Sequence, residues 1–396
     1  NNEKKIKDIY TQDIQKIYKA NTVIEQTRDT ASNIKIPVAN TEWVKPVETR
    51  IEPAKKQVEV TDNASGKYSV PSKTLKKITA PILDDIKIFQ QEFENALKSE
   101  VRLINSISKY MIRNRGKNIR PILTILSARL CGEPTFNSYR AAAMMELLHI
   151  ATLIHDDVVD DATLRRGRPS INQVWKNKIS VLMGDYILSK ALINMIGIKD
   201  FDALEQISNT AEKLSAGEIL QIEKSITKSM TEDVYFDMIN QKTASLIATS
   251  CELGAITTSK TDQDRKATFD FGENLGMAFQ IKDDLFDLLG KETDTGKNSG
   301  GDVKKNLMTL PLIFSYSHMT KSENRQLKKL MSAKKKTKKI ITDIRGMIDE
   351  SGGFEYSRKK LDDFSNKALD AISIYPNTPI KQSLSDLVAF NALRVK

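Results

Sequence analysis

The chain has 396 residues, 40% hydrophobic and 28% charged, with 61 Lys and Arg against 51 Asp and Glu, a net charge of +10. This is enough apolar material for a large core, yet no run reaches the roughly 20 apolar residues of a bilayer span; the longest, 141–154, is broken by Glu146 and His149. Two cysteines, Cys131 and Cys251, exclude a disulfide framework and imply a reducing, cytoplasmic setting, no stretch has the make-up of a secretory signal, and the positive balance favours an anionic partner: nucleic acid, a membrane surface or a phosphorylated substrate.

In chain order, Ile6, Ile9, Tyr10, Ile14, Ile17 and Tyr18 fall at helical spacing among Lys and Asp and predict an amphipathic helix. It either docks on the rest of the chain or serves a partner. Residues 33–71 carry four prolines, many charges and no sustained period, which predicts an extended linker with a short edge strand near Val58 to Val60. Residues 1–71 are thus set apart from 72–396. From there the apolar period is helical: helices are predicted over 82–112, 121–130, 137–159, 180–196, 201–226, 232–253, 262–289 and 307–316, with several more toward the C-terminus. Period-two alternation is nearly absent, so a sheet is not expected, nor an α/β nucleotide-binding fold. The predicted class is an all-α bundle with long, buried central helices.

Two aspartate clusters stand out, Asp156-Asp157-Val158-Val159-Asp160 and Asp283-Asp284-Leu285-Phe286-Asp287. Each has the form DDxxD and closes an apolar helical run. Residues i and i+4 share a helix face, so Asp156 projects with Asp160, and Asp283 with Asp287. Carboxylates gathered on one face repel unless a cation neutralises them. Mg²⁺ suits that role, being hard, six-coordinate and readily shared between carboxylates and substrate phosphates. Basic strings lie beside the acids: Gly116-Lys117-Asn118-Ile119-Arg120-Pro121, Leu164-Arg165-Arg166-Gly167-Arg168-Pro169, Thr295-Gly296-Lys297 and Asp302-Val303-Lys304-Lys305. Arg grips phosphate oxygens bidentately and Lys acts as a point charge, so acids for Mg²⁺ beside cations for phosphate describe a diphosphate site.

At this point the chain resembles the trans-type polyprenyl (isoprenyl) diphosphate synthases, in particular their long-chain branch. The matching strings are GKNIRP, HIATLIHDDVVD, LRRGRP, GEILQIE, KTASL, FQIKDDLFD, TGKNSGGD and MTLPL, spanning about Gly116 to Pro311. The resemblance implies an isoprenoid-synthase helical bundle around a central apolar cavity, assembled as a homodimer. It implies an enzyme that ionises an allylic diphosphate and joins the allylic cation to isopentenyl diphosphate. Asp156, Asp157, Asp160, Asp283, Asp284 and Asp287 then hold Mg²⁺, three ions per site. Arg165, Lys242 and Lys297 contact the allylic diphosphate; Lys117, Arg120, His149 and Arg166 form a metal-free, cationic isopentenyl diphosphate site. Lys242, Thr243 and Gln280 are the catalytic set, the two oxygen dipoles lying near the developing cation. His155 and Asp185 match family positions as structural hydrogen-bonding residues. One departure is Leu307, where the family often has a cation; Lys304 and Lys305 lie one turn earlier.

Product length follows from the helix before the first acidic cluster, because one helical turn and one isoprene unit are both about 5 Å long. Short-chain members tend to place Phe or Tyr five residues before the first aspartate; here that residue is Ala151, with Thr152 beside it, then Leu147, Leu148 and Met144 at deeper turns. Nothing large blocks the first turn, so the expected product has six to ten isoprene units (C30–C50), as in quinone side chains. The floor is expected at Met144 or in the helix carrying residues 181–195. The alternatives are a farnesyl or geranylgeranyl diphosphate synthase and a non-catalytic regulatory subunit of the same fold. The basic run from Lys334 to Lys339 lacks interleaved aromatics for base stacking, so no nucleic-acid partner is expected; weak peripheral attraction to anionic lipid is, because the product is so apolar.

Overall fold

Helical periodicity from residue 73 onward becomes helix almost throughout. The computed structural model describes residues 73–114, 116–259, 261–289 and 301–393; the N-terminal helix, the linker with its strand, and Lys297 lie outside the described residues. The helices are α1 (Lys73–Thr79), α2 (Leu83–Ala96), α3 (Arg102–Arg113), α4 (Ile119–Cys131), α5 (Phe136–Val159), α6 (Ile171–Ile196), α7 (Phe201–Thr227), α8 (Glu232–Ile239), α9 (Ser245–Ile256), α10 (Asp262–Leu289), α11 (Gly301–Lys304), α12 (Leu310–His318), α13 (Lys321–Met331), α14 (Lys338–Glu350), α15 (Gly353–Ala371) and α16 (Pro379–Leu393). The period over 82–112 is broken into α2 and α3, where the Ser99 N–H donates to Asn105 Oδ1 at 3.1 Å and gives the backbone a local alternative to a continuing helix.

Helices apolar on every side belong in a core. In α4 each residue from Pro121 to Ala128 is buried, in α9 each from Ser245 to Ala255, and α5 buries all of 141–148. α5 packs against α6, α2 and α4, and α9 against α4 and α10. The described core falls into two apolar clusters, and α10 lines both: Phe271 and Leu275 belong to the first, Met277, Ala278, Ile281, Leu285 and Leu288 to the second. Close approach between α10 and its neighbour depends on glycine. A Cβ at Gly272 would lie 2.7 Å from Ala248 Cα, and one at Gly276 2.5 Å from Ala244 Cα.

Two local features depart from the sequence expectation. The stretch 232–253 is interrupted by a π-helical turn, Asn240–Ala244, between α8 and α9. A two-residue ladder also forms, β1 (Leu164–Arg165) with β2 (Arg168–Pro169), antiparallel, with Arg165 opposite Arg168. Its turn residues Arg166 (φ 54°) and Gly167 (φ 74°) both have positive φ, as tight two-residue hairpins require. Finally, α6 is long and apolar enough to cross a membrane, although no such run was expected, and a third of that window is buried in the protein.

Candidate active site

Both acidic clusters sit at the C-terminal ends of long helices, α5 and α10, and neither helix has a basic residue in its last turn. The negative end of a helix dipole disfavours carboxylates, so these positions oppose local stability. Asp157 and Asp284 are buried, Asp156 and Asp287 half-buried, Asp160 and Asp283 exposed. Burial, with the charge of Glu218 and Asp160 nearby, pushes the Asp156 carboxyl up to about 6. Burial with Asp302 and Asp283 pushes Asp284 up to about 7.

The cations predicted to hold phosphate are paired with these carboxylates. Arg165, delivered by the small hairpin, grips Asp157: its Nε donates to Oδ1 at 2.8 Å and to Oδ2 at 2.9 Å. Lys305, just past α11, donates to Asp160 Oδ2 at 3.0 Å, and so links the segment after the second cluster to the first. Lys242 of the π turn donates to Gln221 Oε1 at 2.9 Å and pairs with Glu218. Its charge acts on both Asp156 and Asp302. Asp287 accepts from the backbone N–H of Gly301 at 3.0 Å and of Asp302 at 2.9 Å, which brings the Asp302 carboxyl in. Burial with Asp287 and Asp283 pushes Asp302 up to about 6.

A hydrogen-bonded chain joins the catalytic candidates. Thr243 Oγ1 donates to Gln280 Oε1 at 2.8 Å, Gln280 Nε2 donates to Asp284 Oδ1 at 2.8 Å, and the fully buried Tyr235 hydroxyl donates to Asp284 Oδ2 at 2.7 Å. The chain orients the Gln280 carbonyl toward Thr243. Within the π turn, Lys242 reaches toward α7 and Thr243 toward α10. π turns of this kind recur at functional sites.

The second basic group also assembles. The Arg166 guanidinium lies against Gly116, whose missing Cβ would be 2.3 Å from Arg166 Nη1. Buried Glu146 is the counter-charge for both Arg120 and Arg166. Burial and Arg166 lower Arg120 to about 10, and Arg120 Nε is buried without a hydrogen-bond partner, as is Asn118 Oδ1. Burial and the guanidinium groups of Arg120, Arg166 and Arg165 hold His149 well below its ordinary range. The ligand-free imidazole is therefore neutral, a hydrogen-bonding group, where the sequence reading counted it among the cations. His155 and Asp185 meet at 3.2 Å, and Gly184 makes room for the His155 ring.

Along α5, Met144, Leu147, Leu148 and Ala151 are all buried, and the Thr152 hydroxyl donates to the His149 carbonyl at 2.9 Å. Leu307 is half-buried. Sequence reasoning missed Glu218, Gln221, Asp302, Tyr235 and Glu146. The strings GEILQIE and GGD held three of them in view, but only folding shows that they face Lys242.

Among the described residues no three His, Cys, Asp or Glu side chains gather closely enough to make a ready metal cage. The donor set is nonetheless hard oxygen, and three of its carboxyls are held above their usual range by burial and by one another. That chemistry fits Mg²⁺, which takes one or two carboxylates and completes its shell with water and phosphate.

Known proteins resemble the chain in sequence and fold. The Polyprenyl synthetase family matches residues 101–348. An all-trans-nonaprenyl-diphosphate synthase (geranyl-diphosphate specific) of Rhodobacter capsulatus is 33% identical over 320 residues, 81% of this chain and 98% of that one. Octaprenyl diphosphate synthase of Escherichia coli K12 is 32% identical over 313 residues, 79% of this chain and 97% of its own. The crystal structure of a polyprenyl synthase from Caulobacter crescentus CB15, complexed with calcium and isoprenyl diphosphate, superposes with a TM-score of 0.75 at 30% identity, covering 82% of this chain and 100% of the other.

Proposed function

The chain belongs to the polyprenyl synthetase family and is a prenyltransferase of its long-chain branch, and from that premise we propose that it extends an allylic diphosphate with isopentenyl diphosphate to an all-trans product of about C30–C50. The observation that supports this reading is the Lys305–Asp160 pair, by which the segment after the second acidic cluster reaches the first.

Asp156, Asp157, Asp160, Asp283, Asp284 and Asp287 would hold Mg²⁺, which when bound neutralises the charge growing on the departing diphosphate. The chain's own cations do the rest at this end. Arg165, Lys242 and Lys305 exchange a carboxylate or amide partner for phosphate oxygen, so no bare charge is exposed before substrate arrives. The allylic C–O bond breaks with its electron pair going to diphosphate. The dipoles of Thr243 and Gln280, fixed by Asp284 and Tyr235, stabilise the allylic cation. Lys117, Arg120 and Arg166 bind the isopentenyl diphosphate, with His149 donating a hydrogen bond, and the double bond attacks the cation. A new C–C bond forms, and the proton lost from the resulting cation passes to the departed diphosphate.

The growing tail is drawn from water at about 0.8 kcal/mol per CH₂, along the face of α5 that carries the small Ala151, with no Phe or Tyr in the turn before Asp156. Exposed apolar residues on the mutually packed α6 and α7, among them Ile193, Ile196, Phe201, Ile219 and Ile226, support a homodimer burying those helices; sedimentation at monomer mass would contradict it. The activity is tested by incubating the protein with labelled isopentenyl diphosphate, farnesyl diphosphate and Mg²⁺, then sizing the dephosphorylated lipid. Chains of six to ten units support the reading. Products of three or four units would assign the chain to the short-chain branch, and no product would remove the proposal.

A further inference from the structure

We infer that the last turn of α16 positions the isopentenyl diphosphate site, with Phe390 seating the Lys117 ammonium; this rests on the reading of Lys117 given above. Lys117 precedes α4 on an exposed connection whose next residue, Asn118, has a positive φ of 51°. A Lys stem on such a connection has many rotamers, and ordering it costs entropy. Here its Nζ lies 5.2 Å above the centroid of the Phe390 ring. A cation over an aromatic face within about 6 Å is attracted by the ring quadrupole.

The ring is itself held from below. α16 packs against α4, α10, α15 and α1, and Phe390 rests partly buried on the first apolar cluster. Two residues on, the Ala392 carbonyl, one of the last-turn carbonyls that lack a helical donor, accepts from Lys282 Nζ at 2.6 Å. Lys282 is 1% exposed. A buried ammonium is costly unless it is hydrogen-bonded, and at a helix C-terminus it also meets the favourable end of the dipole, so this contact ties α16 firmly to α10. Lys282 immediately precedes Asp283 and Asp284. A single turn of α16 therefore touches the cation assigned to one substrate and the helix carrying the carboxylates assigned to the other. Phe390 acts through Lys117, and its part is placement.

The test is steady-state kinetics on the full chain with isopentenyl diphosphate and farnesyl diphosphate varied separately. Phe390→Leu keeps an apolar side chain and removes the ring face. It should raise KM for isopentenyl diphosphate roughly two- to five-fold, the worth of an exposed cation–π contact, with kcat and the allylic KM unchanged. Phe390→Tyr should restore the wild-type KM, which a general packing role would not ensure. In a Lys117→Ala background, Phe390→Leu should add nothing. An unchanged KM in Phe390→Leu, or an equal effect with and without Lys117, overturns the inference while leaving the site reading intact. If Lys117→Ala alone leaves KM for isopentenyl diphosphate unchanged, the site reading fails and takes the inference with it.

Discussion

Three cations of the candidate site are already matched by a carboxylate or amide of the chain: Arg165 by Asp157, Lys305 by Asp160, and Lys242 by Glu218 and Gln221. The acids outnumber these partners, and burial together with that excess holds the carboxyls of Asp156, Asp302 and Asp284 above their usual range. An acid whose pKa is raised by folding binds its proton more tightly in the folded state, so its contribution to stability is fully present below its unfolded pKa and is lost as pH rises through the folded value. For Asp284 that window runs from the ordinary aspartate value of 3.8 up to about 7. Thermal unfolding without Mg²⁺ should therefore show wild type losing stability relative to Asp284→Asn between pH 5 and 7.5, whatever the offset between the two. Parallel curves would contradict the raised value. The same carboxyls must release protons to accept a metal, so the concentration of Mg²⁺ needed for half-maximal activity should rise as pH is lowered from 7.5 to 6. Activity titrations at the two pH values check this.

At the scale of elements, the segment that matters most is the π turn Asn240–Ala244, held between α7 and α10. A Cβ at Gly217 would come within 2.9 Å of the Lys242 backbone nitrogen, and one at Gly276 within 2.5 Å of Ala244 Cα. Gly276→Ala should destabilise the fold by about 1–3 kcal/mol, the usual cost of overpacking, and should lower kcat because the turn moves Lys242 and Thr243. Urea denaturation and steady-state rates check both, and an unaltered kcat would detach the turn from catalysis. On α5, Ala151→Tyr should shorten the product to three or four units with activity retained, as read by lipid sizing; an unchanged length would remove the ruler. Much at this scale was legible in the sequence. The span 262–289 of α10 follows from its period and its closing aspartates, and α5 begins one residue before its predicted start. The hairpin was hidden because two-residue strands carry no alternation; its signal was Arg166-Gly167, a pair at positive φ. The π turn was hidden because one extra residue per turn leaves composition and period nearly unchanged. The Lys305–Asp160 pair spans 145 positions in sequence, and the lowered ionisation of His149 depends on burial and on three guanidinium groups that only the fold brings to it.

At the scale of the molecule, α10 lines both apolar clusters and ends in the second carboxylate group, and the segment that follows reaches the first group through the Lys305–Asp160 pair. This frame explains how carboxylates can persist at the unfavourable ends of two helices. Core packing offsets their repulsion until cations arrive. The account therefore requires the two groups to act as one device. The most direct measurement is kcat for Asp156→Asn, Asp283→Asn and the double variant, with circular dichroism to verify folding. The account predicts that each single change lowers kcat by at least about a hundredfold and that the double variant is scarcely worse than the poorer single, as for residues acting as a unit. Near-normal turnover in the single variants, or fully multiplicative losses in the double, would contradict it.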